Sequence, residues 1–239
     1  MIIIPARIGS SRFPNKVLAD IGGMPMVVRT AKAVCNIDDV AIATDSQDVV
    51  DIAKEFDIKA VLTSTTHKSG TDRIYEAAQK LNLNQNEIII NVQGDEPFIE
   101  TQVVQAIYDL TKSNLDNEKI MMNSCYKRIT NPEADDPNIV KVVTDTDDIA
   151  LYFSRSKIPH PRDHHFDEYK GHLGIYGFSF KSLEKFCQLS PAPLEDIEKL
   201  EQLRALYHGY DIAMTQVKTS SFGIDTPQDL ERALKFHIL

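Results

Sequence analysis

Short apolar runs alternate with segments of helical periodicity over the first 110 residues of the chain. The predicted strands are the apolar runs at 1–6, 39–44, 59–62 and 87–92. The predicted helices occupy 24–35, a segment from 45 or 46 to 56, a segment from 71 or 72 to 81, and 101–110. This order of strands and helices predicts a parallel sheet with right-handed crossovers.

The pattern changes after residue 113, where strands follow one another without long helices between them. Predicted strands lie at 121–127, 139–144 and 150–154, and prolines punctuate the segment. We therefore interpret 119–177 as a smaller antiparallel insert in an α/β body formed by 1–118 and 178–239.

Helical periodicity returns after the insert. Helices are predicted at 181–189 and 195–208, with Gly209 ending the second, and a strand at 212–217. A final helix is predicted to begin at Thr226 as N-cap and Pro227 as first residue. Along 195–208 the apolar stripe is Ile197, Leu200, Leu203 and Tyr207, which leaves Glu201 and Gln202 off the buried face.

The loop after the first strand carries three cations, Arg7, Arg12 and Lys16, around a glycine and two serines. A basic loop of small residues that follows a buried strand is typical of an anion site, because backbone N–H groups and side-chain cations converge there on phosphate oxygens. The alternative is a solvated basic turn. We expect the loop to bind a nucleoside triphosphate.

Two carboxylates are candidates for a metal site. Asp95 follows the strand at 87–92 in a Gln93-Gly94-Asp95 sequence, in which Gly94 permits close approach of the backbone, and Asp225 lies before the last helix. Mg²⁺ prefers a few carboxylates together with phosphate oxygens and water. The alternatives are an Asx turn at Asp95 and a helix cap at Asp225.

Composition narrows the choice of partners and compartment. The formal net charge is −9 without a Lys/Arg block, which argues against nucleic acid, and no stretch approaches the ~20 apolar residues of a membrane span. Cys35, Cys125 and Cys187 have no metal-ligand spacing, so we expect reduced thiols in a cytoplasmic protein. The histidines form no metal-binding pattern.

Several motifs resemble one known family, in order and over nearly the whole chain. They are MIIIPARIGSSRFPNKVL at 1–18, GTDR at 70–73, NVQGDEP at 91–97, FSRSKIP at 153–159, HLGIYGF at 172–178, PLEDIEKLEQLR at 193–204 and GIDTPQDLE at 223–231. Together they are similar to the 3-deoxy-manno-octulosonate (Kdo) cytidylyltransferase, or CMP-Kdo synthetase, family. Asn15 departs from the usual glycine, but Asn tolerates positive φ. Segment 162–170 has no family pattern.

The resemblance implies a Rossmann-like three-layer α/β/α nucleotide-diphospho-sugar transferase fold with a small antiparallel β insert. It implies transfer of a cytidylyl group from CTP to Kdo, with release of pyrophosphate and Mg²⁺ as cofactor, for lipopolysaccharide synthesis in the cytoplasm. It also implies a homodimer to which the insert contributes. No nucleic acid or membrane partner is expected.

The resemblance also assigns residues. The nucleotide-binding set is Pro5, Ala6, Arg7, Ser10, Arg12, Lys16, Ser69, Arg73, Gln93 and Gly94. The sugar-binding set is Gln93, Arg155, His172, Tyr176, Glu201 and Gln202. Asp95 and Asp225 are the implied metal ligands, and these two with Lys16 and Arg12 are the implied catalytic residues. From the residues alone, Arg155 is more often a solvated surface cation, and His172 and Tyr176 are a buried pair on one strand face.

Two rival hypotheses remain at this point. One is a cytidylyltransferase for another acidic keto-sugar, such as sialic acid. The other is a nucleotide-binding regulator without catalysis, against which the presence of Lys16, Asp95 and Asp225 argues.

Overall fold

A computed structural model describes residues 1–9, 13–163 and 166–237 of the chain. The strands are β1 Ile2–Ala6, β2 Val40–Thr44, β3 Lys59–Leu62, β4 Ile88–Asn91, β5 Ile120–Ile129, β6 Lys141–Thr144, β7 Ala150–Ser154, β8 Tyr169–Ser179 and β9 Asp211–Gln216. The α-helices are α1 Met26–Val34, α2 Gln47–Glu55, α3 Gly70–Lys80, α4 Thr101–Ser113, α5 Asn131–Asp135, α6 Phe180–Gln188, α7 Pro193–Glu198, α8 Leu203–Tyr207 and α9 Pro227–His237. A 3₁₀ turn spans Lys16–Leu18.

The described strands form one mixed sheet whose main path runs β3-β2-β1-β4-β8-β5-β9. The strands β1 to β4 pair in parallel, as predicted, whereas β8 lies antiparallel between β4 and β5. The β6–β7 hairpin is off this path and joins it through β8. Two strands predicted within the insert, β5 and β8, thus continue the main sheet. The division at 119–177 stays a prediction.

Helices cover both faces of the sheet. Ile2 and Ile4 of β1 pack in one core with α1, α2 and α4, while Ile3 points into a second core with α3, α6 and α8. Successive residues of a strand face opposite sides of a sheet, so one fully apolar strand serves both cores. This confirms the three-layer α/β/α architecture.

The prediction of one continuous helix over 195–208 is wrong. The chain leaves α7 at Lys199, which has φ 52°, and turns before α8 begins. The predicted stripe fails in consequence: Ile197 and Tyr207 are 77% and 54% exposed, although Leu200 and Leu203 are buried. Gln202, predicted off the buried face, is 3% exposed.

Smaller corrections concern helix termini. The N-cap of α3 is Ser69, whose Oγ accepts from the backbone N–H of Asp72 at 3.1 Å, rather than Thr71 or Asp72. Thr226 caps α9 as predicted, since its Oγ1 accepts from the N–H of Asp229 at 3.2 Å. Across the described ranges, the helices are all too short or too polar to cross a membrane.

Candidate active site

A polar cleft of about 350 Å³ opens at the carboxyl ends of β1 and β4. The chain passes from β1 to β2 on one side, and β4 lies on the other side of β1, so the cleft sits where the strand order reverses. Open α/β sheets bind ligands at such positions. The lining residues are Pro5, Ala6, Arg7, Lys16, Val17, His67, Lys68, Ser69, Gly70, Arg73, Gln93, Gly94, Asp95 and Asp225.

The cleft brings together most of the residues expected to bind nucleotide, from four separate parts of the chain. Eight of the ten line it, namely Pro5, Ala6, Arg7, Lys16, Ser69, Arg73, Gln93 and Gly94. The other two, Ser10 and Arg12, lie outside the described residues. Their roles stay predictions.

Lys16 lies between the two candidate metal ligands. Its Nζ donates to Asp95 Oδ2 at 2.6 Å and to Asp225 Oδ1 at 2.9 Å, and its side chain is only 11% exposed. Burial lowers the pKa of Lys16, but the charges and hydrogen bonds of Asp95 and Asp225 outweigh this effect, and the net pKa is raised. The ammonium group is therefore firmly charged. Asn15 precedes it with φ 55°, the left-handed conformation that Asn tolerates.

Both carboxylates converge on one point because both bond to the same ammonium ion. A cation can thus be held there by Asp95 and Asp225 together. Within the described ranges, no group of three or more His, Cys, Asp or Glu side chains forms a further metal cluster. Two carboxylates with open positions for phosphate oxygens and water suit Mg²⁺. The alternative that Asp225 caps α9 does not hold, because Thr226 is the cap.

Close backbone contacts hold these loops in place. A Cβ on Gly94 would lie 2.9 Å from the carbonyl oxygen of Pro5, so only glycine fits between β1 and the loop after β4. The loop before α9 is tied to the same place, because Ile224 N donates to the carbonyl oxygen of Asp95 at 2.8 Å.

Arg73 forms part of the cleft wall and is itself almost fully buried. Its guanidinium donates to Asp45 Oδ2 at 2.8 Å and to Thr63 Oγ1 at 2.7 Å. Asp45 in turn accepts from the backbone N–H of Ile8 at 3.4 Å. Arg73 thus ties the loops after β1, β2 and β3 together, a supporting role that the sequence did not reveal. Its predicted contact with nucleotide stays a prediction.

Three of the predicted sugar-binding residues lie on β8 or next to it. The rings of His172 and Tyr176 are 5.5 Å apart on one face of β8, and Gln93 Nε2 donates to the carbonyl of Gly174 at 3.1 Å. His172 Nε2 lies 2.9 Å from Ser124 Oγ, and burial lowers its pKa to about 3. Burial, reinforced by the charge of Glu201, raises the pKa of Tyr176.

Gln202 is buried and the side chain of Glu201 is 28% exposed, and each has one buried polar atom without a hydrogen bond. Glu201 Oε2 accepts from Thr71 Oγ1 at 2.7 Å, at the start of α3 beside the cleft. Its Oε1 and the Nε2 of Gln202 are buried without a hydrogen-bond partner in the described part of the chain. Burial raises the pKa of Glu201, against the lowering effect of its bonds to Thr71 and Ser69. Arg204 Nη2 lies 3.8 Å from Glu201 Oε1, an ion pair without a hydrogen bond. An acceptor and a donor that both lack hydrogen bonds are groups that a polyhydroxylated ligand would satisfy.

Among the predicted sugar ligands, all within the described residues, Gln93 alone lines the cleft, and Arg155 is engaged elsewhere. Its Nε donates to the carbonyl of Glu198 at 2.8 Å and its Nη1 to the carbonyl of Pro137 at 3.0 Å. It holds the carboxyl end of α7 instead. Its predicted contact with a sugar carboxylate stays a prediction.

The sequence missed His67 and Lys68 in the cleft wall. The available signal was their position in a polar loop after β3, because β3 runs parallel to β1 and ends at the same edge of the sheet.

Comparisons with known proteins identify the family of the chain. A cytidylyltransferase family model matches residues 1–212. A 3-deoxy-manno-octulosonate cytidylyltransferase of Nitratiruptor sp. is 56% identical over 97% of this chain and 97% of its own length. The protein of the same name from Wolinella succinogenes is 52% identical over 98% of both chains.

A solved structure shows the same fold. It is described as CMP:2-keto-3-deoxy-manno-octonic acid synthetase complexed with CTP, and it aligns with a TM-score of 0.90 at 39% identity. The alignment covers 100% of this chain and 98% of the other.

Proposed function

The chain belongs to the 3-deoxy-manno-octulosonate cytidylyltransferase family and is a nucleotidyltransferase, and from this premise we propose that its cleft joins the cytidylyl group of CTP to Kdo. The observation that carries the assignment to this cleft is the cluster of Lys16, Asp95 and Asp225 at the strand-order reversal. In the reaction, the anomeric hydroxyl oxygen of the sugar bonds to the α-phosphorus. The bond from that phosphorus to the bridging oxygen breaks, and pyrophosphate leaves.

The nucleotide side of the cleft supplies positive charge and backbone donors. Arg7 and Lys16 line it, and Arg12 and Ser10 are assigned to the same loop by the family motif. Lys16 is bound to Asp95 and Asp225 in the structure, so it must exchange at least part of that contact for phosphate oxygens. A preorganised cation there stabilises negative charge that develops on the departing pyrophosphate.

Asp95 and Asp225 are the residues proposed to hold Mg²⁺. The fit rests on their convergence on a single ammonium ion, for which a divalent cation can substitute. Bound there, Mg²⁺ would neutralise phosphate charge and lower the pKa of the attacking hydroxyl. Gly94 and the bond from Ile224 to Asp95 keep both carboxylates at this point.

The acceptor side is proposed to lie along β8 and the turn between α7 and α8. Gln93, His172, Tyr176, Glu201 and Gln202 would bind the hydroxyl groups of Kdo, and the unpaired polar atoms of the last two support this. The family motif assigns the sugar carboxylate to Arg155. That contact requires Arg155 to break its hydrogen bonds to backbone carbonyl oxygens at the end of α7.

Three further proposals accompany the activity: a homodimer, a cytoplasmic location and a role in lipopolysaccharide synthesis. Leu151 on β7, within 119–177, is 61% exposed, which supports a contribution of this segment to a dimer. The three cysteines are free thiols, which suits a reducing compartment. Sedimentation velocity tests the dimer, and loss of Kdo-containing lipid on gene depletion tests the pathway.

A substrate panel tests the activity. Purified protein is incubated with Mg²⁺, with CTP or UTP, and with Kdo or sialic acid, while pyrophosphate release is followed and the product is identified by mass. We expect turnover with CTP and Kdo. Turnover with sialic acid and none with Kdo would replace the proposed sugar, and CTP binding without any turnover would favour the regulator.

The carboxylates can be tested individually. Asp95→Asn and Asp225→Asn should each remove most turnover without unfolding the protein, because each takes a charged ligand from the proposed metal site. Asp109→Asn, at an exposed position on α4, is the matched control and should retain activity. Near-normal turnover in either cleft variant would remove that residue from the metal site.

A further inference from the structure

The loop between β3 and α3 places an anchored histidine in the wall of the cleft. His67 lines the cleft beside Ser69 and Gly70, and its side chain is 21% exposed. The ring is not simply packed there. Its Nε2 is hydrogen-bonded to Oε2 of Glu76, which lies on α3 one and a half turns into the helix.

Glu76 is itself fixed on several sides. Its Oε2 also accepts from the backbone N–H of Ser64 at 2.9 Å, and its Oε1 pairs with Lys80 at 2.7 Å. Burial disfavours its charged form, but the bonds from Lys80, Ser64 and His67 outweigh burial and lower the pKa of Glu76 to about 2. The carboxylate is therefore ionised at neutral pH and acts only as an acceptor.

This acceptor fixes the tautomer and direction of the histidine. Nε2 must carry the proton that it donates to Glu76, so the opposite nitrogen, Nδ1, is left for another partner. Within the described ranges no protein group hydrogen-bonds Nδ1. A ring held at one edge by a partly buried, ionised carboxylate, with its other polar atom unpaired in a cleft wall, is arranged to bind a ligand.

We propose that His67 contacts the bound nucleotide through Nδ1 and that Glu76 is its positioning residue. This inference rests on the proposed function, since the nucleotide is the occupant assigned to the cleft. His67 belongs to the part of the cleft lining formed by the 67–70 loop and Arg73, a different segment from the loops that carry Lys16 and its two carboxylates. The contact therefore contributes to nucleotide affinity rather than to the chemical step.

Direct binding is the primary test. The dissociation constant of CTP with Mg²⁺, without sugar, is measured by titration calorimetry for the wild type, His67→Asn and His67→Gln. The amide of Asn reaches the position of Nδ1, whereas the amide of Gln reaches that of Nε2. We expect His67→Gln to weaken CTP binding about three- to tenfold, the value of one hydrogen bond. We expect a smaller loss in His67→Asn, which keeps the contact to the nucleotide but loses the bond to Glu76.

His208→Asn is the matched control, because His208 is bonded to Ser190 at the end of α8, outside the cleft lining. Equal affinity in all variants would overturn the contact. Retention by His67→Gln with loss in His67→Asn would overturn the assignment to Nδ1, and equal losses in both would do the same.

The positioning role of Glu76 is tested by kinetics. Glu76→Ala should raise KM for CTP by about the factor seen in His67→Asn, which also lacks the bond between residue 67 and Glu76, while leaving kcat and KM for Kdo close to wild type. Lys80→Met, which removes the outer ion pair of Glu76 and keeps the bond to His67, should leave KM for CTP within about twofold. A uniform fall in kcat, or an unchanged KM in Glu76→Ala, would overturn the role.

These outcomes separate this inference from the proposed function. If the wild type binds no CTP, the proposed function fails. If the wild type binds CTP and forms CMP-Kdo but the His67 variants bind CTP normally, only the present inference fails.

Discussion

Lys16 shows how much of this site depends on one side chain. Its ammonium is bonded at once to Asp95 and Asp225, and it thereby reduces the repulsion between two carboxylates held at short range. The same two carboxylates are the proposed metal ligands. Lys16 thus compensates one of the two negative charges before any metal or nucleotide enters, and the cluster keeps one net negative charge.

Replacement of Lys16 by Met tests how much this charge compensation contributes to stability. Without divalent metal, Lys16→Met should be less stable to urea by about 1–3 kcal/mol, since the variant keeps the two carboxylates and loses their cation. Added Mg²⁺ should then raise the melting temperature of the variant more than that of the wild type, because metal binding to the folded state supplies the missing charge. Turnover should also fall by ~10²-fold or more.

Lys181→Met is the control for this experiment. Lys181 pairs with Glu118 at 2.7 Å, but both side chains are exposed, and a surface pair of this kind is worth about 0–1 kcal/mol. If Lys16→Met has the same metal-free stability and the same response to Mg²⁺ as Lys181→Met, the ammonium does not hold the carboxylates in solution.

The sequence identified these three residues but not their contact. A basic loop after a strand and an acidic loop after another strand were sufficient to nominate Lys16 and Asp95. Their pairing depends on β1 and β4 being neighbours and on the loop before α9 reaching the same edge. Neither relation is encoded in local pattern, since it arises from packing between segments far apart in the chain.

The turn between α7 and α8 is the element for which periodicity gave the wrong answer. Apolar residues recur at helical spacing through 195–208, yet the helix ends before Lys199. Arg155 donates to the carbonyl of Glu198, and the Glu198 carboxylate accepts from Ser154 Oγ at 2.6 Å and from the N–H of Arg155. These tertiary hydrogen bonds take the place of further helical ones. The interruption of the helix turns Gln202 and the Oε1 atom of Glu201 toward the interior.

The sign of the stability change in Lys199→Gly tests whether the helix is interrupted at this residue. Lys199 has φ 52°, a conformation that costs a non-glycine residue about 1–2 kcal/mol, so glycine should leave the protein equally stable or more stable to urea by about 1 kcal/mol. In a continuous helix the same substitution would destabilise by about 1 kcal/mol. The exposed Lys199–Asp196 ion pair lost in the variant offsets only a few tenths of a kcal/mol.

Gln105→Gly provides the helical reference, because Gln105 is an exposed residue within α4. It should lose about 1 kcal/mol. A similar loss in Lys199→Gly would mean that 195–208 is helical in solution and that Glu201 and Gln202 are not held as described.

At the scale of the whole molecule, the α/β body was predictable and the course of β8 was not. Buried strands alternating with amphipathic helices predicted a parallel sheet with a ligand cleft at the carboxyl ends of its strands. The direction of β8 is not contained in its own pattern, because a buried strand looks the same in parallel and antiparallel pairing. The structure inserts it antiparallel between β4 and β5, which brings His172 and Tyr176 from the predicted insert next to the body.

His172 lies at the junction that results. Its backbone N–H donates to Val140 at 2.8 Å, and its ring packs against Phe153 of β7 and meets Ser124 of β5. Burial lowers its pKa from 6.5 to about 3. Above pH 6.5 the imidazole is neutral in both folded and unfolded chains, and it contributes no pH dependence.

Below that pH the His172 imidazole binds a proton in the unfolded chain, but in the folded protein it does not do so until about pH 3. The free energy of unfolding must therefore fall as the solution is acidified. We expect the free energy of unfolding of the wild type to decrease between about pH 7.5 and about pH 5.5 by about 1 kcal/mol more than that of His172→Gln, as measured by urea unfolding. The comparison cancels groups that titrate alike in both proteins. Parallel pH curves would show that His172 titrates freely, and the junction between the main sheet and the β6–β7 hairpin would then be open to water rather than packed.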